Sequence, residues 1–219
     1  MAHPDPVRDH GKSLYDAILD DISSGHLKGG QRLKISELAD RYGVSASPIR
    51  ETLRQMQGEG FVEIHQNRGA TVKQADSGTI QNIFEVLQLL EPYFVRWFAE
   101  HAQPHMVDEV AEAQERIRES IDRDLPQFRK LDSAFHGLIC KHHYNEVAAD
   151  TWRRLRRALI VHAAPLRIGP ARLDRIVKEH DALIAAFRAG DPEAAERVIR
   201  SHVDGSFVQM SQQMRALGL

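Results

Sequence analysis

The sequence predicts a mainly α-helical protein: a winged helix-turn-helix with a small β-hairpin wing, followed by an all-α antiparallel helical bundle. Three observations carry this. Residues 33–60 hold two short helical patterns around a Gly43-Val44-Ser45 turn, and residues 61–73 alternate as two strands about a second turn. From residue 79 onward, apolar side chains recur at helical spacing with no strand alternation. The parts divide as 1–74 and 79–219, with a polar, glycine-containing linker at about 75–78.

Residues 1–9 are polar and proline-containing, which predicts a loose end. Leu14, Tyr15, Ile18, Leu19 and Ile22 make the apolar stripe of a first helix, ended by Ser23-Ser24-Gly25. Glu37-Leu38-Ala39 carries the second helix. Ser45 is placed to cap the third, and Pro48 falls in its first turn, where a missing N–H costs little. Ile49, Leu53 and Met56 then share one face while Arg50, Arg54 and Gln57 point the other way. Such a helix can dock its apolar side on its own domain and offer its polar side to a DNA major groove. Residues 61–65 and 70–73 form the hairpin, with Arg68 at its tip.

In the second part, residues 79–90 and 92–102 read as one long helix bent at Pro92, since an internal proline removes a hydrogen bond and crowds the preceding turn. Residues 104–123 set Met106, Val110, Ala113, Ile117 and Ile121 on one face. Helices at 125–143 and 146–163 follow, then a break around Pro165. A helix over 171–189 ends at Gly190, and Asp191 caps a last helix from 192 to about 214. Six helices on short connections predict a bundle.

Composition is that of an ordinary soluble globular chain: 219 residues, 42% hydrophobic, 27% charged, net charge −2. Overall charge therefore makes no case for nucleic acid, and the basic bias of residues 26–74, eight Lys or Arg against five Asp or Glu, is mild. The single cysteine, Cys140, excludes an intrachain disulfide and fits a reducing cytoplasm. The first ten residues have no apolar core for a signal peptide, and no apolar run approaches membrane-spanning length. A cytoplasmic location without membrane association is expected.

A second set of residues carries possible chemistry. Asp132 and His136 lie four apart beside the apolar stripe of Leu125, Phe128, Leu131, Phe135 and Ile139, which stacks a carboxylate over an imidazole. His180 and His202 each stand next to apolar positions of a later helix. One Asp and three His projecting into a bundle make a ligand set for zinc or a similar divalent ion. With twelve histidines in the chain, spacing alone is more often that of an ordinary ion pair and of satisfied core or half-exposed histidines.

The segment ELADRYGVSASPIRETLRQMQGEGFVEIHQNRGATV resembles the winged helix-turn-helix of GntR-type bacterial regulators, and the family pattern extends over most of residues 10–73. The resemblance implies DNA contacts at Lys34, Ser45, Ala46, Ser47, Arg50, Arg54, Asn67 and Arg68. Two departures bear on specificity: Ala46 and Ser36 stand where the family often has basic residues, and arginine to guanine is the commonest specific base contact. The segments LDSAFH, EHDALIAAFRAGDPEAAE and SHV resemble the ligand-binding FCD domain of the FadR branch of that family. Its metal-binding members place their ligands at the positions of Asp132, His136, His180 and His202, so the resemblance implies a divalent metal, zinc foremost, with nickel or manganese also suited. Acyl-CoA binders of the branch lack this set. A family arginine that reaches the pocket is replaced by Leu87, which leaves an acidic effector to be met elsewhere; Arg153, Arg157 and Asn145 are candidates, with a solvated basic face and a helix-start role as their plain alternatives.

The expectation is thus a homodimeric transcription regulator, by resemblance a repressor, that binds a two-fold DNA operator and responds to a small organic acid beside a metal. A regulator answering to the metal alone, and a metal-dependent enzyme, are the rival readings. The enzyme lacks a placed general base and leaves residues 10–73 unexplained.

Overall fold

The structure, a computed structural model, describes residues 13–66, 68–74, 76–120 and 125–218. Asn67, Ala75, Ile121 and the N-terminal nine residues, to which the sequence assigns roles, lie outside these. The chain forms two compact units, Met1–Ala75 and Asp76–Leu219.

In the first unit, α1 (Leu14–Ser23) starts at Ser13, whose side chain accepts from the Asp16 N–H, and buries Tyr15, Ile18 and Ile22. α2 (Ile35–Tyr42) is stopped by Gly43, left-handed at φ 66°. α3 (Ala46–Gly58) buries Ile49, Leu53 and Met56 and exposes Arg50, Arg54 and Gln57. Ser45 occupies the cap position, but its side chain makes no capping bond. The Asp21 carboxylate binds both Arg41 (2.7 Å) and the Tyr42 hydroxyl (2.5 Å), which ties α2 to α1.

The wing is a three-stranded antiparallel sheet in the order β1 (Arg32–Leu33), β3 (Gly69–Val72), β2 (Val62–His65). β1 is two residues long, too short to show an alternation in sequence. Its pairing of Leu33 with Ala70 sets two buried side chains side by side under the hairpin. Gly69 is required where the strands meet. Its φ is +83°, and a Cβ there would lie 2.2 Å from the Leu33 carbonyl oxygen.

The second unit is a bundle of six helices: α4 (Ser77–His101), α5 (Pro104–Ser120), α6 (Leu125–Lys141), α7 (Glu146–His162), α8 (Pro170–Ala189) and α9 (Pro192–Leu217). Asp76 caps α4 by accepting from the Thr79 N–H at 2.8 Å, so Ser77 and Gly78, placed in a linker from sequence, are helical. α4 runs through Pro92 as a single helix and packs along α9, with α8 against α9 and α5. On α5 the buried stripe is Val107, Val110, Ala113, Gln114 and Ile117; Met106 is only half-buried. None of the helices is long and apolar enough to cross a membrane among the described residues.

The wing geometry yields a paired test. Gly69→Ala forces a left-handed alanine, at about 1–2 kcal/mol, and drives a methyl into backbone. Urea unfolding is expected to give a loss of at least that size. Gly58→Ala, at the last position of α3 with open space around its Cβ, is expected to be neutral or to gain less than about 1 kcal/mol from helix propensity.

Candidate nucleic-acid interface and candidate metal centre

Between α3 and the hairpin the first unit has an open cleft of about 510 Å³. Arg32, Lys34, Arg50, Arg54 and Arg68 line it, and no lining residue is acidic, so the local field is positive although the whole chain is slightly acidic. Arg50 and Arg54 stand one turn apart on the exposed face of α3, and Ser45, Ala46 and Ser47 form the approach to its first turn, the two serines exposed. Lys34 is engaged by Glu37 at 2.6 Å, but both are solvated and the pair is weak. Arg32, His65 and Gln66 were not singled out from sequence. Arg32 donates from Nε to the Arg68 carbonyl at 3.0 Å and so braces the wing tip. Its signal is positional: it flanks the buried Leu33 and must face outward.

In the second unit, α6, α8 and α9 bring Asp132, His136, His180 and His202 together, one ligand atom of each lying within 4.8 Å of the others. The three histidines are 0–3% exposed. Each has its Nδ1 turned to a partner: Glu91 Oε2 at 3.2 Å from His136, Gln114 Oε1 at 2.9 Å from His180, Glu179 Oε2 at 2.8 Å from His202. The Nε2 atoms of His136 and His180 face Asp132 Oδ1, at 4.0 and 3.6 Å, and make no hydrogen bond. Those separations are too long for a settled carboxylate–imidazole bond, which weakens the plain ion-pair alternative. Buried imidazole nitrogens left without partners are costly. Anchoring one nitrogen on a carboxylate or amide while the other is held for an ion is the arrangement of metal-bound histidine. Two ligands on one tetrahedral zinc lie about 3.3–3.6 Å apart, so the set, spread over up to 4.8 Å, fits a single ion after closing by about 1 Å.

Electrostatics agree with that use. Burial lowers the pKa of His136 and, further, of His180; nearby cationic side chains, Arg156 among them, push the same way. Neutral imidazole is the form that ligates. Phe135 stacks on the His180 ring at 4.0 Å between centroids and fixes its plane.

Glu91, 2% exposed on α4, is a group that the sequence did not single out. Burial opposes its ionisation. Arg156 at 3.2 Å, His136 and the Trp152 indole N–H at 2.7 Å outweigh this and hold its carboxyl well below the usual range. The signal was present: Glu91 falls on the same stripe as Phe84, Leu87 and Phe98, where a charge has to be paired. Gln114 sits likewise on the α5 stripe, and Glu179 directly precedes His180.

Of the effector candidates, Arg153 is exposed and paired with Asp150, and Asn145 caps α7 by accepting from the Ala148 N–H at 3.0 Å. Neither they nor Arg157 lines the cleft beside Asp132. Arg129 and Arg156 do.

The FCD domain model matches residues 82–205, and the model for bacterial regulatory proteins of the gntR family matches residues 11–72. The probable D-xylose utilization operon transcriptional repressor of Paenarthrobacter nicotinovorans is 27% identical over 191 residues, covering 86% of this chain and 83% of the relative. Among solved structures, E. coli McbR/YncC superposes with a TM-score of 0.81 at 22% identity, over 91% of this chain and 96% of that one. A putative GntR transcriptional regulator from Rhodococcus sp. RHA1 gives 0.78 at 18%, over 90% and 95%. A basic winged helix-turn-helix joined to an FCD bundle places this chain in the GntR family of bacterial regulatory proteins, as a DNA-binding transcription regulator and not an enzyme.

Proposed function

We propose that this regulator is a homodimeric repressor whose bundle, residues 79–219, holds one divalent transition metal on Asp132, His136, His180 and His202. A small carboxylate metabolite taken up beside that ion changes the hold of the 1–74 module on a two-fold operator. The observation that supports the reading is the convergence of unpartnered Nε2 atoms of His136 and His180 on Asp132, with Nδ1 of His180 and His202 hydrogen-bonded from behind and Nδ1 of His136 facing Glu91 at 3.2 Å. Bound there, an ion offers an open coordination position to an acidic ligand. The chain's own residues do the rest: Glu91, Gln114 and Glu179 hold the three rings, and Arg156 bridges Glu91 to Asp132, at 3.2 and 3.6 Å.

Coupling to DNA runs through α4, which carries Glu91 and follows the wing directly in sequence. Regulation requires that the metabolite bind one arrangement of the dimer better than the other. The repressor sense rests on relatives named as repressors. The dimer has a candidate face in Val86, Leu89 and Tyr93 on α4 with Tyr144 and Val147, apolar residues that remain exposed where α4 and α7 pack. A two-fold axis across it would cover the same patch on both copies.

For the metal, chelator competition is expected to give one zinc per chain, with His180→Gln removing high-affinity binding. Glu91→Gln, which touches no ion, is expected to weaken it about 10–100-fold; a chain that takes up no zinc contradicts the reading. Metal-loaded protein without any acid must keep its operator. If adding or chelating zinc alone switches binding, the metal is the signal instead.

For the interface, duplexes selected from a randomised pool are the probe. Deleting a side chain that neutralises one phosphate lowers the salt slope by about 1, so Arg50→Ala is expected to lower it by about 2 for a dimer on two half-sites. Leu89→Glu is expected to yield monomers that hold the same duplex weakly. An unchanged slope would remove Arg50 from the interface, and a decrease of only about 1, from a single site, would exclude the dimer.

A further inference from the structure

Beside Asp132 the bundle has a narrow cleft of about 50 Å³, room for a few waters. Its lining is mixed: Arg129, Asp132, Ser133, Arg156 and Ser206 are polar, whereas Phe84, Phe128, Leu159, Ile176 and Met210 are apolar side chains that offer a hydroxyl little or no hydrogen bonding.

Arg129 is the residue that points to a ligand. It is 8% exposed, yet among the described residues no carboxylate lies within ion-pair distance of it. Its guanidinium donates only to the backbone carbonyls of Ala164 (3.4 Å) and Leu166 (2.5 Å), and its Nε is buried without a partner. Burial, with the charge of Arg167, pushes its pKa down to about 10. Asp132, in the same cleft, offsets part of the Arg129 charge without pairing with it; a buried cation without a paired carboxylate is costly, and one that lines a cleft marks a place for an anion. Arg156, by contrast, is already shared between Glu91 and Asp132. A divalent ion on Asp132 would add to the positive side and strengthen the demand for one negative charge.

We infer that the effector is a monocarboxylate with a short apolar body, its carboxylate held between Arg129 and the metal side of the cleft and its body against Phe128, Ile176 and Met210. This deepens the metal-and-metabolite reading above and rests on it. A sugar or sugar acid would strip water from its hydroxyls against apolar side chains that return little, and a dicarboxylate would bury its second charge there. Binding a monocarboxylate displaces side chains of the lining contributed by α7 and α9. Met210, an adaptable side chain, yields first. That displacement reaches the ligand cluster through Arg172, which binds Ser206 Oγ at 2.9 Å and the His202 carbonyl at 2.8 Å.

Calorimetry on full-length, zinc-loaded protein tests this with isovalerate, succinate and gluconate as probes. Isovalerate is expected to bind at least about tenfold more tightly than either other acid. Arg129→Gln is expected to weaken isovalerate by about tenfold or more with zinc content unchanged, and Met210→Gln to narrow the gap to gluconate. Gluconate or succinate binding as tightly as isovalerate, isovalerate indifferent to Arg129→Gln in a folded variant, or no acid bound at all overturns the inference. Zinc content of the same samples reports separately on the metal reading. A chain without zinc that still takes isovalerate through Arg129 upholds the ligand class and removes the metal.

Discussion

A fully buried imidazole has two nitrogens to satisfy, and this bundle leaves Nε2 of His180 and both nitrogens of His136 without a hydrogen bond. Glu91, Gln114 and Glu179 each engage a ring from behind, and the other sides of His136 and His180 meet near a single half-buried carboxylate without bonding to it. A core built for stability alone would fill such positions with apolar side chains or close the last hydrogen bonds. The arrangement becomes sensible once a cation is counted among the groups that complete it, and the neutral state favoured by burial leaves the rings ready to ligate.

The same constraint spreads outward. Glu91 is ionised in the core because Arg156, Trp152 and His136 surround it, and Arg156 reaches on to Asp132. Glu179 is shared by His202 and Arg172, and Arg172 returns to α9 through Ser206. These links connect α4, α6, α7, α8 and α9 through charged groups that cannot shift singly without leaving a buried charge unpaired. A ligand taken up in the cleft, as proposed, would therefore act on a connected set of helices.

Sequence made the architecture legible where periodicity was strong. The stripe of Ile49, Leu53 and Met56 and the opposing Arg50 and Arg54 are where the spacing puts them, and the motif residues Asp132, His136, His180 and His202 meet as the resemblance implied. What escaped were features with no period. β1 pairs with β3, and the partner that decides its conformation lies beyond both α2 and α3 in the chain. Glu91 and Gln114 lie among apolar neighbours, where a single polar residue reads as an interruption until its partners on other helices are known. Arg129 and Arg156 rather than Arg153 or Arg157 line the cleft because inward direction on α6 and α7 depends on helix rotation within the bundle, which a run of arginines does not encode.

X-ray absorption at the zinc edge of the loaded full-length protein addresses the central claim most directly. A shell of three imidazole nitrogens and oxygen at about 2.0–2.2 Å, losing one imidazole in His202→Gln, is the expected result. A shell of water oxygens with no imidazole scattering, or a spectrum unchanged by that substitution, would contradict the account.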